Sequence, residues 1–218
     1  MYLPNIISIG SNCRTRFHIE RTLKCSHPEI DYPAFFWDWL EGGGVQGIGW
    51  CMRNNFSLKG ADFAVQALGP AGPYVPLHEP SGFLFHHDFG GAASEAMAAH
   101  AGLMDSLPES LQKYNYLATR TKALIESDHP IVLVYLGALT IADYGELDLL
   151  FDLKSQNRHL VNVLVCEDAG RALVDRNLDT FLVDDNAADL QHPVWQGHHE
   201  DWDRVFREIP LRPDYYHV

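Results

Sequence analysis

The sequence predicts an α/β fold, a three-layer domain on a mostly parallel sheet. Two apolar runs carry most of that prediction: Pro130-Ile131-Val132-Leu133-Val134-Tyr135-Leu136 and Leu160-Val161-Asn162-Val163-Leu164-Val165-Cys166. Both are continuous and of strand length, which marks strands buried on both faces. A helical pattern lies between them, and strand, helix and strand within about 37 residues make a βαβ unit with a right-handed crossover. A third run, Ile6-Ile7-Ser8-Ile9, breaks at Gly10-Ser11-Asn12 in the manner of a buried strand entering a turn.

The remaining elements follow in order. Ser11 or Asn12 can cap a helix from about Cys13 to Lys24, with Phe17, Ile19 and Leu23 on its apolar side. The aromatic segment Pro33 to Leu40 holds one acid, Asp38. Glu41-Gly42-Gly43-Gly44 then reads as a flexible break before a helix over Val45 to Asn54. From Lys59 to Pro80 the glycines and prolines mark irregular structure or short antiparallel strands. Gly82 to Phe89 reads as a strand end. One or two helices fill Ser94 to Ser127, with Leu111, Tyr114, Leu117, Leu124 and Ile125 on the buried side. The βαβ helix is predicted over Tyr144 to Asn157, with Leu147, Leu149, Leu150 and Leu153 as its apolar positions. Phe181 to Val183 suggests another strand, and Trp195 to Ile209 a closing helix.

Bulk properties set limits on function. The 218 residues fit one domain, 1–218, and 46% hydrophobic with 21% charged residues is ordinary for a globular protein. A formal charge of −13 argues against nucleic acid as partner, since phosphate backbones need clustered Lys and Arg. The N-terminus lacks the basic region of a signal peptide, and no run reaches the roughly 18 apolar residues of a membrane helix. The expected location is therefore the cytoplasm, with no membrane partner. Cys13, Cys25, Cys51 and Cys166 are widely spaced, so free thiols are expected there.

Cys13 is the first candidate for chemistry. A cysteine at a helix N-terminus meets unpaired N–H groups and the positive end of the helix dipole, both of which favour a thiolate. The same N–H groups, with Ser11, Asn12 and Arg14, could stabilise an oxyanion. The competing reading is a small residue buried near a tight turn. A cysteine nucleophile needs a base, and His86-His87-Asp88 offers one. Neighbouring side chains at a strand end point to opposite faces, so one histidine alone can face Cys13. His87 is the first choice and His86 a substrate-side residue. The competing reading packs both histidines between Phe85 and Phe89. Asp38, set among aromatics, needs a partner such as a histidine or Arg120, which is itself a candidate anion clamp; a helix cap or structural ion pair is the alternative.

The order Ser8-Ile9-Gly10-Ser11-Asn12-Cys13, Trp37-Asp38-Trp39-Leu40, His87-Asp88-Phe89 and Tyr116…Arg120 resembles a bacterial family of uncharacterised function that carries a papain-like cysteine peptidase label. The resemblance runs over most of the chain, and its first segment is the specific one. Trp37 replaces the family's usual Phe and leaves Asp38 in place. The resemblance implies Cys13 as nucleophile, His87 as base and Asp38 as the acid orienting it.

The expected function is a cysteine-dependent hydrolase or acyltransferase on a small-molecule, peptide or glycan substrate, without cofactor or metal. One alternative is a non-catalytic sugar- or nucleotide-binding accessory module of polysaccharide pathways. Another is a metallohydrolase using His86-His87-Asp88 and His198-His199-Glu200-Asp201 as ligands.

Overall fold

A computed structural model describes residues 5–10, 13–26, 28, 32–155, 157–165, 178–184, 196 and 199–209. Four strands form an all-parallel sheet: β1 (Asn5–Ser8), β6 (Ile131–Leu136), β7 (Arg158–Val165) and β8 (Leu178–Val183), side by side in that order. Between β1 and β6 the chain builds α1 (Cys13–Ser26), β2 (Glu41–Gly42), α2 (Gly44–Arg53), β3 (Phe63–Ala67), β4 (Tyr74–His78), β5 (Phe83–Leu84) and the 30-residue α3 (Ala96–Ile125). Helix α4 (Ile141–Phe151) joins β6 to β7, and α5 (His199–Glu208) follows β8.

The layers follow from alternation along the strands. Ile7, Leu133, Tyr135 and Leu160 face one side, where Leu103, Tyr114 and Leu117 of α3 and Leu147 and Phe151 of α4 cover them. Ile6, Val132, Val134, Val161 and Val163 face the other side, under Ile19 of α1 and Trp202, Val205 and Phe206 of α5. A parallel sheet with both faces clothed in helices is the predicted three-layer α/β fold.

The first crossover also carries a small antiparallel sheet in the order β2-β5-β4-β3. It docks on α3 through aromatic rings. Phe36, Phe85 and Phe89 lie 5.1–5.5 Å from the Tyr114 ring. Pro108 sits inside α3, which is about 45 Å long at 1.5 Å per residue.

Several boundaries differ from the sequence reading. Helix α4 starts at Ile141, because Thr140 and Asp143 form a reciprocal capping box, and it stops where Asp152 turns left-handed. Leu153 is buried but lies beyond the helix, and Leu149 is 85% exposed. The strand expected up to Phe89 is confined to Phe83–Leu84, and β8 begins three residues earlier than Phe181. Ser11, Asn12, Cys166, Trp195 and His198 lie outside the described residues. No helix among the described residues is long and apolar enough to cross a membrane.

His18 joins α1 to α5. It is fully buried, stacked on Trp202 at 4.6 Å, and its Nε2 lies 2.6 Å from the Gln196 carbonyl oxygen. Arg21 Nε donates to Nδ1 at 3.4 Å, so the neutral ring has both nitrogens satisfied. Burial pushes the His18 pKa down from 6.5 to about 3. Folded protein therefore holds fewer protons than unfolded chain between those values, and the stabilisation present above pH 6.5 is lost as pH falls through that window. His78, buried and pushed down to about 4, acts in the same direction. Chemical denaturation from pH 7 to 4 should show falling stability, with a shallower slope in His18→Gln; an unaltered slope would count against this docking contact.

Candidate functional site

Cys13 is the first residue of α1, at the carboxyl edge of the parallel sheet, where ligand sites of open α/β folds occur. It is 7% exposed, and its Sγ–H donates to Glu41 Oε1 at 3.4 Å. Glu41 Oε2 lies 3.0 Å from His86 Nε2. That second contact is an ion-pair distance without hydrogen-bond direction, since Nε2 has no hydrogen-bond partner by angle.

Local structure explains the grouping. Glu41 pairs with Leu84 across the β2–β5 ladder, and His86 follows two residues later in the bend just past the end of β5. His87 is exposed and packs edge-on against Trp39 at 5.5 Å. Gly43 holds a left-handed φ of +64°, and a Cβ there would fall 2.7 Å from the Phe83 ring. Glycine thus lets the chain turn tightly after Glu41, so the expected flexible break is a packed corner.

Charge and burial keep the proton on sulfur. Burial, then the Glu41 charge and its hydrogen bond, push the Cys13 pKa up from 9.0 to about 12. A backbone hydrogen bond and the charge of Arg14 oppose them. Glu41 is held below its usual range, first by the His86 contact. The resting pair is therefore thiol and carboxylate, whereas the sequence reading expected a thiolate at the helix N-terminus.

Asp38 and His87 do not meet. Asp38 Oδ2 accepts from Arg16 Nη1 at 2.8 Å and from the Phe35 amide at 2.7 Å, and Oδ1 has no partner. Burial raises its pKa from 3.8 to about 7, against the pull of Arg16. Two sequence intervals give this pair a bearing on the site. Arg16 follows Cys13 by one helical turn, and Asp38 precedes Glu41 by three residues. The ion pair thus ties the two segments that present thiol and carboxylate. The role expected of Asp38, orienting a histidine, is replaced by positioning through Arg16. The sequence reading of Asp38 as a structural ion pair fits this geometry.

The other candidates fall around this centre. Arg120 donates to the Ala34 carbonyl at 3.5 Å and lies 5.7 Å over the Tyr116 ring, so it braces the aromatic segment. Asp88 accepts from Lys113 at 2.6 Å and from the Tyr114 hydroxyl at 3.1 Å. Ser11 and Asn12 fall outside the described residues, and Arg14 acts on Cys13 through its charge. Among the described residues no three His, Cys, Asp or Glu side chains are placed to hold a metal ion. His199 sits on α5 against Phe17 and His18, apart from the Glu41–His86 pair. A concavity of about 480 Å³ lies farther along α1, between Phe17, Glu20, Arg21, Lys24 and Cys25. The sequence reading missed Glu41. Its available signal was an acid between a buried aromatic segment and three glycines.

Three outcomes test this geometry. Asp38→Ala leaves the buried Arg16 guanidinium only the longer carboxylate contact to Glu20, at 3.5 Å, and urea denaturation should show a loss of roughly 3–5 kcal/mol; a loss below 1 kcal/mol, as for an exposed pair, would contradict the positioning role. Near pH 8, iodoacetamide should label exposed Cys25 well ahead of Cys13. Glu41→Gln should lower the pH at which Cys13 reacts, because both of Glu41's contributions raise the thiol pKa. An unchanged pH profile would show that the carboxylate does not govern the thiol.

The chain matches no protein-family model, no curated protein and no solved structure.

Proposed function

We propose that the chain is a cysteine-dependent hydrolase or acyltransferase in which Cys13 is the nucleophile, Glu41 its base and His86 the partner that holds Glu41. The observation that carries this reading is the unbroken contact from Cys13 Sγ to Glu41 Oε1 and from Glu41 Oε2 to His86 Nε2. A nucleophile, a base within reach and a third group on the base are the parts that covalent catalysis requires.

Glu41 takes the thiol proton as Sγ attacks the substrate carbonyl carbon. Backbone N–H groups in the first turn of α1 receive the oxyanion. The protonated Glu41 returns that proton to the leaving group as the carbon–leaving-group bond breaks, leaving a thioester on Cys13. Glu41 then takes a proton from water or an acceptor alcohol or amine, which attacks the thioester and releases the thiol with its proton restored. A pKa near 12 is compatible with this route, because the base acts within the attack and no standing thiolate is needed.

A second reading is favoured by that same protonated thiol: a binding module in which Cys13 packs while Glu41 and His86 hydrogen-bond a ligand. One substitution separates the two. With p-nitrophenyl acetate, peptide mass spectrometry should find acetyl on Cys13 of the unmodified chain and none in Cys13→Ala, whose turnover should vanish. Glu41→Gln should slow acetyl transfer by roughly a hundredfold or more, the usual contribution of a general base, even as it eases alkylation of the thiol. Ester hydrolysis that survives Cys13→Ala would leave the binding module as the better account.

A further inference from the structure

Strands β6 and β7 are apolar through their interiors except at Tyr135 and Asn162. These two are register partners, so their side chains lie together on the sheet face shared with Ile7 and Leu133. Asn162 is fully buried, and both Nδ2 and Oδ1 lack a partner. Such an amide is costly, and leucine would fill the place without that cost. Tyr135 is 6% exposed, and its hydroxyl makes no hydrogen bond to the described residues. That hydroxyl stands 3.9 Å from where a Cβ on Gly44 would lie and 3.7 Å from the same point on Gly137.

Tyr135 lies at the edge of the proposed site, with Asn162 beside it on the next strand. Ile9 N–H donates to the Val134 carbonyl at 3.0 Å, which sets Tyr135 beside Ile9 and Gly10, just ahead of Cys13. Gly44 follows Glu41 by three residues. Two carboxylates act here, Asp143 on Tyr135 and Glu41 on Cys13, and a charged acid would have to come beside them. An unpaired carboxamide offers a donor and an acceptor in one plane, the complement of another amide.

We propose that Tyr135 and Asn162 recognise a carboxamide or peptide group presented to Cys13, the phenol donating to its carbonyl oxygen and the Asn162 amide pairing with its remaining polar atoms. This rests on the reading of Cys13 as the nucleophile. The substrates it selects are amides, not charged acids or polyols.

The test compares three reagents on Cys13, read by peptide mass spectrometry: iodoacetamide, which carries a carboxamide; iodoacetate, which carries a carboxylate; and methyl methanethiosulfonate, which carries neither. Iodoacetamide should outpace iodoacetate. Tyr135→Phe should slow iodoacetamide about tenfold, the worth of one hydrogen bond, and leave methanethiosulfonate unchanged. Asn162→Leu should do the same while raising the thermal midpoint by roughly 2–4 °C. A Cys13 that reacts with methanethiosulfonate but shows no iodoacetamide-specific loss in Tyr135→Phe, or that prefers iodoacetate, overturns the amide assignment alone. A Cys13 that is inert to all three and takes no acetyl from p-nitrophenyl acetate overturns the nucleophile reading with it.

Discussion

The Arg16–Asp38 ion pair is the constraint on which the site depends. Both partners are almost wholly buried, 4% and 0% exposed, and the guanidinium also donates to the carbonyls of Pro33 and Tyr32 while lying 4.4 Å over the Tyr32 ring. A buried pair returns little net stability over an apolar replacement, since desolvating two charges offsets their attraction. Its value here is geometric. One partner belongs to the first turns of α1 and the other to the approach to β2, so satisfying the pair fixes where Cys13 and Glu41 stand.

The site therefore joins two architectures. The parallel sheet supplies a helix that begins with a cysteine at its carboxyl edge, and the small antiparallel sheet supplies an acid and a histidine across one ladder. In the commoner cysteine arrangement the imidazole touches the sulfur and a carboxylate or amide lies behind it. Here the order is reversed, with Glu41 between Cys13 and His86. A carboxylate next to sulfur disfavours a second negative charge, so the thiol stays protonated.

The large elements were legible because their physics is local. Runs such as Ile131 to Leu136 are buried on both faces, as strands of a covered parallel sheet are. Boundaries set by side-chain caps were harder to read. The Thr140–Asp143 box was hidden by the apolar count, which favoured a start at Tyr144, and Leu153 looked helical because it is buried. Within the site, Cys13 stood out by its place after Gly10. The alternation argument allowed one histidine, but choosing between His86 and His87 needs the β2–β5 register, which pairs residues more than forty positions apart. Glu41 was missed for the same reason: beside three glycines it looks solvated, and only the contact with β5 and the packing of Gly43 on Phe83 turn it inward.

The long first crossover has a kinetic side. Asn5 Nδ2 donates to the Pro130 carbonyl, 125 positions away in sequence, whereas β6, α4 and β7 are close neighbours along the chain. Closing so long a loop adds little to the equilibrium cost, because that cost grows with the logarithm of length, but non-local pairing slows folding. The β6–β7–β8 ladder can assemble while β1 is still searching. During that interval β6 shows an uncovered, largely apolar edge to any neighbouring chain, the kind of surface that templates aggregation. Docking of β1 ends that exposure and, by bringing α1 onto the sheet, is also the step that carries Cys13 to its carboxylate.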